Sequence, residues 1–194
     1  MIWIVLLLIV LVIVIGVSLY NRLVTARNAF RNAFAQIDVQ LTRRHDLIPN
    51  LVEVARRYLQ HERQTLEAVI AARTSAVDGL KKVMTSGLDP AAIEQLSASE
   101  NTLSGALGRL LAVAEAYPDL KADRTMARLS EELTTTENKV AFARQAFNDQ
   151  VMSYNNAREK FPGNLVAGFF RFTPAQLLQI ESVTKRDVPQ VTFS

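Results

Sequence analysis

The chain has no cysteine among its 194 residues, which excludes a disulfide framework, a thiol nucleophile, a lipid-modified cysteine anchor and any thiolate metal site. Glycine (7) and proline (6) are scarce and aromatic residues make up only 7%, a profile that argues against a β-sandwich, a collagen-like repeat or a disordered tail. Histidine occurs only at His45 and His61, too far apart in sequence to place two imidazoles on one helical face as a metal site requires. His61-Glu62 opens like the helix of a zinc protease, but Thr65 stands where the second histidine would be needed. Both histidines are read as helix-surface or interface residues. With no Gly-rich phosphate loop and no convergent Ser, His and Asp pattern, the chain is read as non-enzymatic, with no catalytic, cofactor-binding or metal-binding residue.

What is abundant is apolar: 49% of the residues, for a mean hydropathy of +0.09. One source is the uncharged run Met1 to Tyr20, whose ~20 residues at ~1.5 Å each match the ~30 Å hydrocarbon core of a bilayer. Trp3 and Tyr20 stand near its ends, where amphipathic rings prefer the interface, and Leu8 and Val14 lie along its middle. No Lys or Arg precedes the run and no small-x-small site follows it, so an uncleaved transmembrane anchor over residues 1–20 is expected. A buried core helix is the alternative. Arg22, Arg27 and Arg31 follow before the first acid, Asp38, a bias that puts the C-terminal body in the cytoplasm. Residues 1–80 carry 9 Lys and Arg against 6 Asp and Glu, and 81–194 carry 13 of each, so the whole net charge of +3 lies on the membrane-proximal side. That bias suits anionic headgroups better than nucleic acid.

Beyond the anchor, Leu23, Phe30, Phe34, Ile37, Leu41 and Ile48 recur in steps of three and four once Arg27 and Arg44 are counted in register, a coiled-coil-like seam. Pro49 interrupts it, with Asp46 available as a cap, and the chain either reverses at His45–Pro49 or only kinks there, since the phase continues through Leu51, Ala55, Tyr58, Glu62, Leu66 and Val69. A loop is expected from Asp78-Gly79 to Asp89-Pro90, ending in an Asp cap with proline at the first helical position. The next stripe is Ile93, Leu96, Leu103, Leu107, Leu110 and Ala114, with Glu100 on the same face and Gly105 and Gly108 read as allowing close backbone approach. Tyr117-Pro118-Asp119 closes this helix. A last one carries Met126, Leu129, Leu133, Thr136, Val140, Ala143 and Phe147, then shifts phase to Val151 and Tyr154.

Phe161-Pro162-Gly163 stops that helix, and the composition changes. Five of the nine phenylalanines, Phe161, Phe169, Phe170, Phe172 and Phe193, fall after residue 160. The run Leu165 to Phe170 is too short to span a bilayer and too apolar for a free tail, so it docks on the bundle end, on lipid or on another subunit.

The run Gln36-Ile37-Asp38-Val39-Gln40-Leu41 with Arg43-Arg44-His45-Asp46-Leu47-Ile48-Pro49-Asn50-Leu51-Val52 resembles the LemA family. The resemblance continues through Tyr58-Leu59-Gln60-His61-Glu62, Glu67-Ala68-Val69, Ala71-Ala72-Arg73, Tyr154-Asn155, Phe161-Pro162-Gly163 and Val188-Pro189-Gln190-Val191, covering essentially the whole chain. It implies a bacterial membrane-anchored protein whose soluble part is an antiparallel four-helix bundle, with no established enzymatic activity, and it favours reversal at His45–Pro49. Some LemA-like proteins carry a lipoprotein-type start, which would put the body in the periplasm or outside the cell.

The fold class expected is therefore all-α: an N-terminal transmembrane helix followed by an antiparallel up-and-down four-helix bundle with long coiled-coil-like helices. Its parts are an anchor (1–20), a helical bundle (21–161) and an aromatic C-terminal segment (162–194). Helices near 22–44, 47–77, 91–116 and 122–160 would put membrane-distal corners at His45–Asp46 and Tyr117–Asp123, with the 79–90 loop and the aromatic segment facing the membrane. The last helix, the longest, would project past the others. The functional expectation is a scaffold of the bacterial inner membrane that self-associates laterally and contacts lipid but not nucleic acid. A membrane-surface remodelling or envelope-sensing protein, or a regulatory subunit of a membrane enzyme or transporter, are the alternatives. Candidate oligomer or membrane contacts are Phe30, Phe34, Ile37 and Leu41 on the seam, and Leu165, Phe169, Phe170 and Phe172 near the C-terminus.

Overall fold

The computed structural model describes residues 2–180, and Val188–Val191 and Phe193 lie outside them. No strand occurs among the described residues. The helices are α1 (Ile2–Tyr58), α2 (Arg63–Ser86), α3 (Pro90–Glu115), a short α4 (Pro118–Ala122), α5 (Arg124–Glu159) and α6 (Gly163–Phe169). Residues 172–180 follow as a non-helical strap. The all-α expectation holds, with a long apolar helix at the N-terminus.

The chain does not reverse at His45–Pro49. α1 runs unbroken through Pro49 for 57 residues, ~86 Å at ~1.5 Å per residue, and the first turn-round comes instead at residues 59–62. Proline inside a helix removes one N–H and leaves the carbonyl four residues earlier without its partner. Here that carbonyl belongs to His45, and it accepts a hydrogen bond from Arg73 Nε of α2 at 2.7 Å. A tertiary contact fills the gap that local sequence opens.

One further boundary and one glycine differ from expectation. Asp78-Gly79 is not a loop, because α2 continues to Ser86 and the turn is confined to residues 87–89. Gly79 lies inside the helix, where a Cβ would meet Ser99 Oγ at 2.9 Å and the Leu96 Cα at 3.5 Å of α3. Gly105, read as a close-approach site, faces nothing within 4 Å. The turn itself follows the sequence signals. Gly87 adopts φ +69°, the left-handed region glycine enters without steric cost, and the Asp89 carboxylate accepts from the Ala91 and Ala92 N–H groups with Pro90 in the first turn. At the end of the bundle away from the apolar stretch of α1, the Asp123 carboxylate caps α5 through Thr125 and Met126 and accepts from the Tyr58 hydroxyl of α1 at 3.0 Å.

The lengths decide how the parts stack. The part of α1 beyond Tyr20 and the 36 residues of α5 both reach ~55 Å, whereas α2 (24 residues) and α3 (26 residues) reach only ~36–39 Å. All four meet at the distal corners, so the α2–α3 hairpin stops short and the lower part of the α1–α5 pair stands without it. α5 therefore does not project alone, since α1 accompanies it: Phe34 and Phe30 of α1 meet Phe147 of α5 at 5.5 and 6.3 Å, and Phe30 meets Tyr154 at 5.1 Å between ring centres. The strap covers part of the exposed flank. Asn155 pairs reciprocally with the backbone of Ala175 and Asn148 with that of Leu178. Arg144 donates to the Ile180 carbonyl, and on the α3 side Ser97 Oγ accepts from the Gln179 N–H.

Candidate functional site: a buried charge layer and an outward aromatic end

The interior is divided into two apolar clusters. The lower one gathers the seam of α1 with Leu80 and Val83 of α2, Ile93 and Leu96 of α3, Val140, Phe147, Val151 and Tyr154 of α5, and Leu178 and Ile180 of the strap. The upper one gathers Leu47, Ile48, Leu51 and Val52 with Leu66, Val69, Leu103, Leu107 and Leu129. Between them lies a layer of charge. Arg44 of α1, with no solvent exposure, reaches Glu100 Oε2 of α3 at 2.8 Å, Ser104 Oγ at 2.7 Å and Glu137 Oε1 of α5 at 2.7 Å. His45 Nε2 lies 2.8 Å from the other Glu100 oxygen, and that carboxylate is also fully buried. One guanidinium thus ties three helices together, and Arg73 brings in the fourth through the His45 carbonyl.

Burial raises the Glu137 carboxyl above its ordinary range, against the pull of Arg44. Ion pairs so deep in a protein contribute little net stability but penalise any packing that separates them. This layer therefore marks the register of four helices. Its carboxylates are occupied by Arg44 and His45, with Glu100 fully buried and Glu137 partly open to solvent. Among the described residues no group of three potential metal-ligating side chains is arranged to hold an ion.

The structure scatters the expected contact residues. Phe30, Phe34, Ile37 and Leu41 are 6%, 2%, 0% and 0% exposed, so the seam is intramolecular core and not a contact between copies, because α5 runs beside α1 and closes it together with residues of α2 and α3. His45 is likewise buried, not a surface residue, because α1 carries it on past Arg44 into the bundle. Phe172 is buried too: its ring packs edge-on to Tyr20 at 5.7 Å and under the Arg27 guanidinium at 5.1 Å. Leu165, Phe169 and Phe170 are exposed, and so are Trp3, Leu8 and Val14.

α6 and Tyr20 form one end. The Phe170 ring lies 4.7 Å from Tyr20 and 5.0 Å from Phe169. Arg171 takes φ +55° as Phe172 N–H returns to the Ala167 carbonyl at 2.9 Å, and this left-handed turn sends Phe172 inward while Phe169 and Phe170 stay out. The first stretch of α1 contains an 18-residue window of mean hydropathy 3.4 with none of it buried, which disposes of the core-helix alternative.

Sequence reading missed Arg73, Glu137, Asn148 and Asn155. The asparagines left a signal, since amides one heptad apart in a helix interior, where asparagine is a poor helix former, have another task, and Arg73 and Asn155 also fall in runs that carry the family resemblance.

A bundle of long helices continuous with an exposed apolar helix defines a membrane-associated helical protein. The model of the LemA family matches residues 33–193, and the chain belongs to that family. It is similar to magnetosome protein MamQ 2 of Paramagnetospirillum magneticum, 26% identical over 82% of this chain and 64% of that protein. It is also similar to magnetosome protein MamQ of Magnetospirillum gryphiswaldense, 25% identical over 78% of this chain and 62% of that protein. Protein LemA of Metamycoplasma hominis is 23% identical over 87% of this chain and 72% of that protein. The chain thus spans just under two thirds of the length of the MamQ proteins.

Proposed function

We propose that this protein is a non-enzymatic scaffold of the bacterial inner membrane, anchored by the apolar part of α1, with its body in the cytoplasm by the charge bias of Arg22, Arg27 and Arg31. It self-associates laterally. With the Phe30–Leu41 seam consumed internally, the observation that carries the reading is Phe142, 74% exposed beside a shallow groove between α1 and α5 lined by Ala33, Gln36, Gln40, Lys139, Ala143 and Ala146. A large exposed ring beside a groove lined by three alanines and the polar Gln36, Gln40 and Lys139 on the same face offers both halves of a self-complementary surface, the requirement for a contact between identical copies. Anchoring in one membrane aligns the copies and raises their local concentration. Membership of the LemA family and likeness to magnetosome proteins support a membrane-associated role of this kind.

The test compares the parent with Phe142→Ser in detergent by light scattering. The parent is expected to be multimeric and the variant smaller, with unchanged melting, because the ring lies in solvent. A monomeric parent in both detergent and membrane cross-linking refutes the scaffold. The second reading, a membrane-surface remodelling or sensing protein, is favoured by the outward aromatic face of α6.

A further inference from the structure

α6 is amphipathic the wrong way round for water. It buries its small residues, Gly163 and Ala167, and exposes its large ones, Leu165 at 64% and Phe169 at 81%, with Phe161 at 79% and Phe170 at 53% flanking it. A surface helix in water does the reverse. Loose docking is not the cause. A Cβ on Gly163 would fall 2.5 Å from the Ala157 carbonyl oxygen, so the helix start is pressed against the end of α5 as closely as backbone permits and the outward face is held outward.

The position of this face names its solvent. Phe170 packs on Tyr20, the residue that ends the apolar stretch of α1, so α6 lies beside the point where the anchor leaves the hydrocarbon. Exposed cations surround it: Arg22, Lys160 and Arg171, while Glu159 is paired with Arg158 at 2.8 Å. Aromatic rings at the anchor's end with lysine and arginine around them are the pattern of a bilayer interface carrying anionic headgroups.

We infer that α6 is a membrane foot: an interfacial element that seats Phe161, Leu165 and Phe169 at the boundary between acyl chains and headgroups beside the anchor, with Arg22, Lys160 and Arg171 on anionic phosphates. Two points of contact, anchor and foot, hold the post at a set angle to the membrane. The inference rests on the anchor in the preceding reading, and is independent of lateral assembly.

The experiment uses the full chain in nanodiscs of phosphatidylglycerol and phosphatidylcholine, in a Trp3→Phe background that leaves one introduced tryptophan. Phe169→Trp is expected to emit at short wavelength, lose most of its intensity to lipid brominated near the glycerol end of the acyl chains, and resist aqueous iodide. Val14→Trp reports the anchor separately and is expected to be quenched by lipid brominated near the chain ends. Quenching of Trp at 169 by iodide alone places the segment in water and overturns the foot. Shielding from both quenchers places it against protein and overturns it equally. If Val14→Trp also escapes bromine, the anchor and the foot fall together; if it is quenched and Phe169→Trp is not, the foot alone falls. Leu165→Trp repeats the measurement should Phe169→Trp fail to fold.

Discussion

Arg73 is expected to be coupled energetically to Pro49, a residue it is not bonded to. Pro49 has no N–H to give the His45 carbonyl, and Arg73 Nε supplies the missing donor at 2.7 Å. Arg73→Met keeps most of the aliphatic stem and removes the donor. A bond from a charged group to a carbonyl is worth about 1.5–3 kcal/mol, and a partly buried acceptor left unmade costs a similar amount. Roughly 2 kcal/mol is therefore expected, or about 4–8 °C in melting temperature for a domain of this size. In a Pro49→Ala background the helix regains its own N–H for the same carbonyl. There Arg73→Met should cost less by about 1 kcal/mol or more, the coupling a shared partner produces. Pro49→Ala alone should stabilise, since interior proline costs ~3 kcal/mol relative to alanine, less what Arg73 already restores. Urea unfolding of the four full-length proteins in one detergent, followed by helical circular dichroism, gives the cycle. Equal costs of Arg73→Met in both backgrounds would show that Arg73 does not act through the proline gap.

In the charge layer, Glu100→Ala leaves Arg44 with one carboxylate fewer and His45 without its partner, and should cost about 3–5 kcal/mol in the same assay, whereas Arg44→Met with Glu100→Leu and Glu137→Leu recovers most of it. Gly105→Ala, with open space around it, should stabilise by about 0.5–1 kcal/mol, while Gly79→Ala, which meets the α3 backbone, should lower the melting temperature. The raised Glu137 carboxyl contributes stability that is present below the ordinary glutamate range and lost as pH rises through its raised value, so the parent should lose ground to Glu137→Gln from acid to neutral pH. Asp123 has the opposite sign: backbone N–H groups and the Tyr58 hydroxyl lower its pKa, and the parent should lose its advantage over Asp123→Ala as pH falls through that value.

Periodicity alone carried most of the helical content. The stripes on α3 and α5 are buried nearly residue for residue as their three-four spacing indicates, because a helix without a rival period can hide an apolar stripe only on one face. Asp89-Pro90 marked the start of α3 for an equally local reason, a carboxylate reaching N–H groups two and three residues away. Even the charge layer left a trace. Arg44 and Glu100 each fall in register on an apolar stripe, which is where the structure buries them, though nothing in the spacing says that they meet.

The exposed apolar segment, the long helices and their register positions were determined by sequence, since each depends on residues within a turn or two of one another, whereas the short α4 and α6 were not foreseen. Tertiary structure decided whether the chain turned at Pro49, because the donor that keeps α1 whole comes from Arg73 on another helix. It decided that Gly79 needs its missing Cβ and Gly105 does not, a matter of which backbone lies opposite. It decided as well that the Phe30–Leu41 seam is core while Phe169 is surface. Both are apolar by composition, and only the packing of α5 along α1 and the docking of α6 through Gly163 and Ala167 determine which of them finds a protein partner.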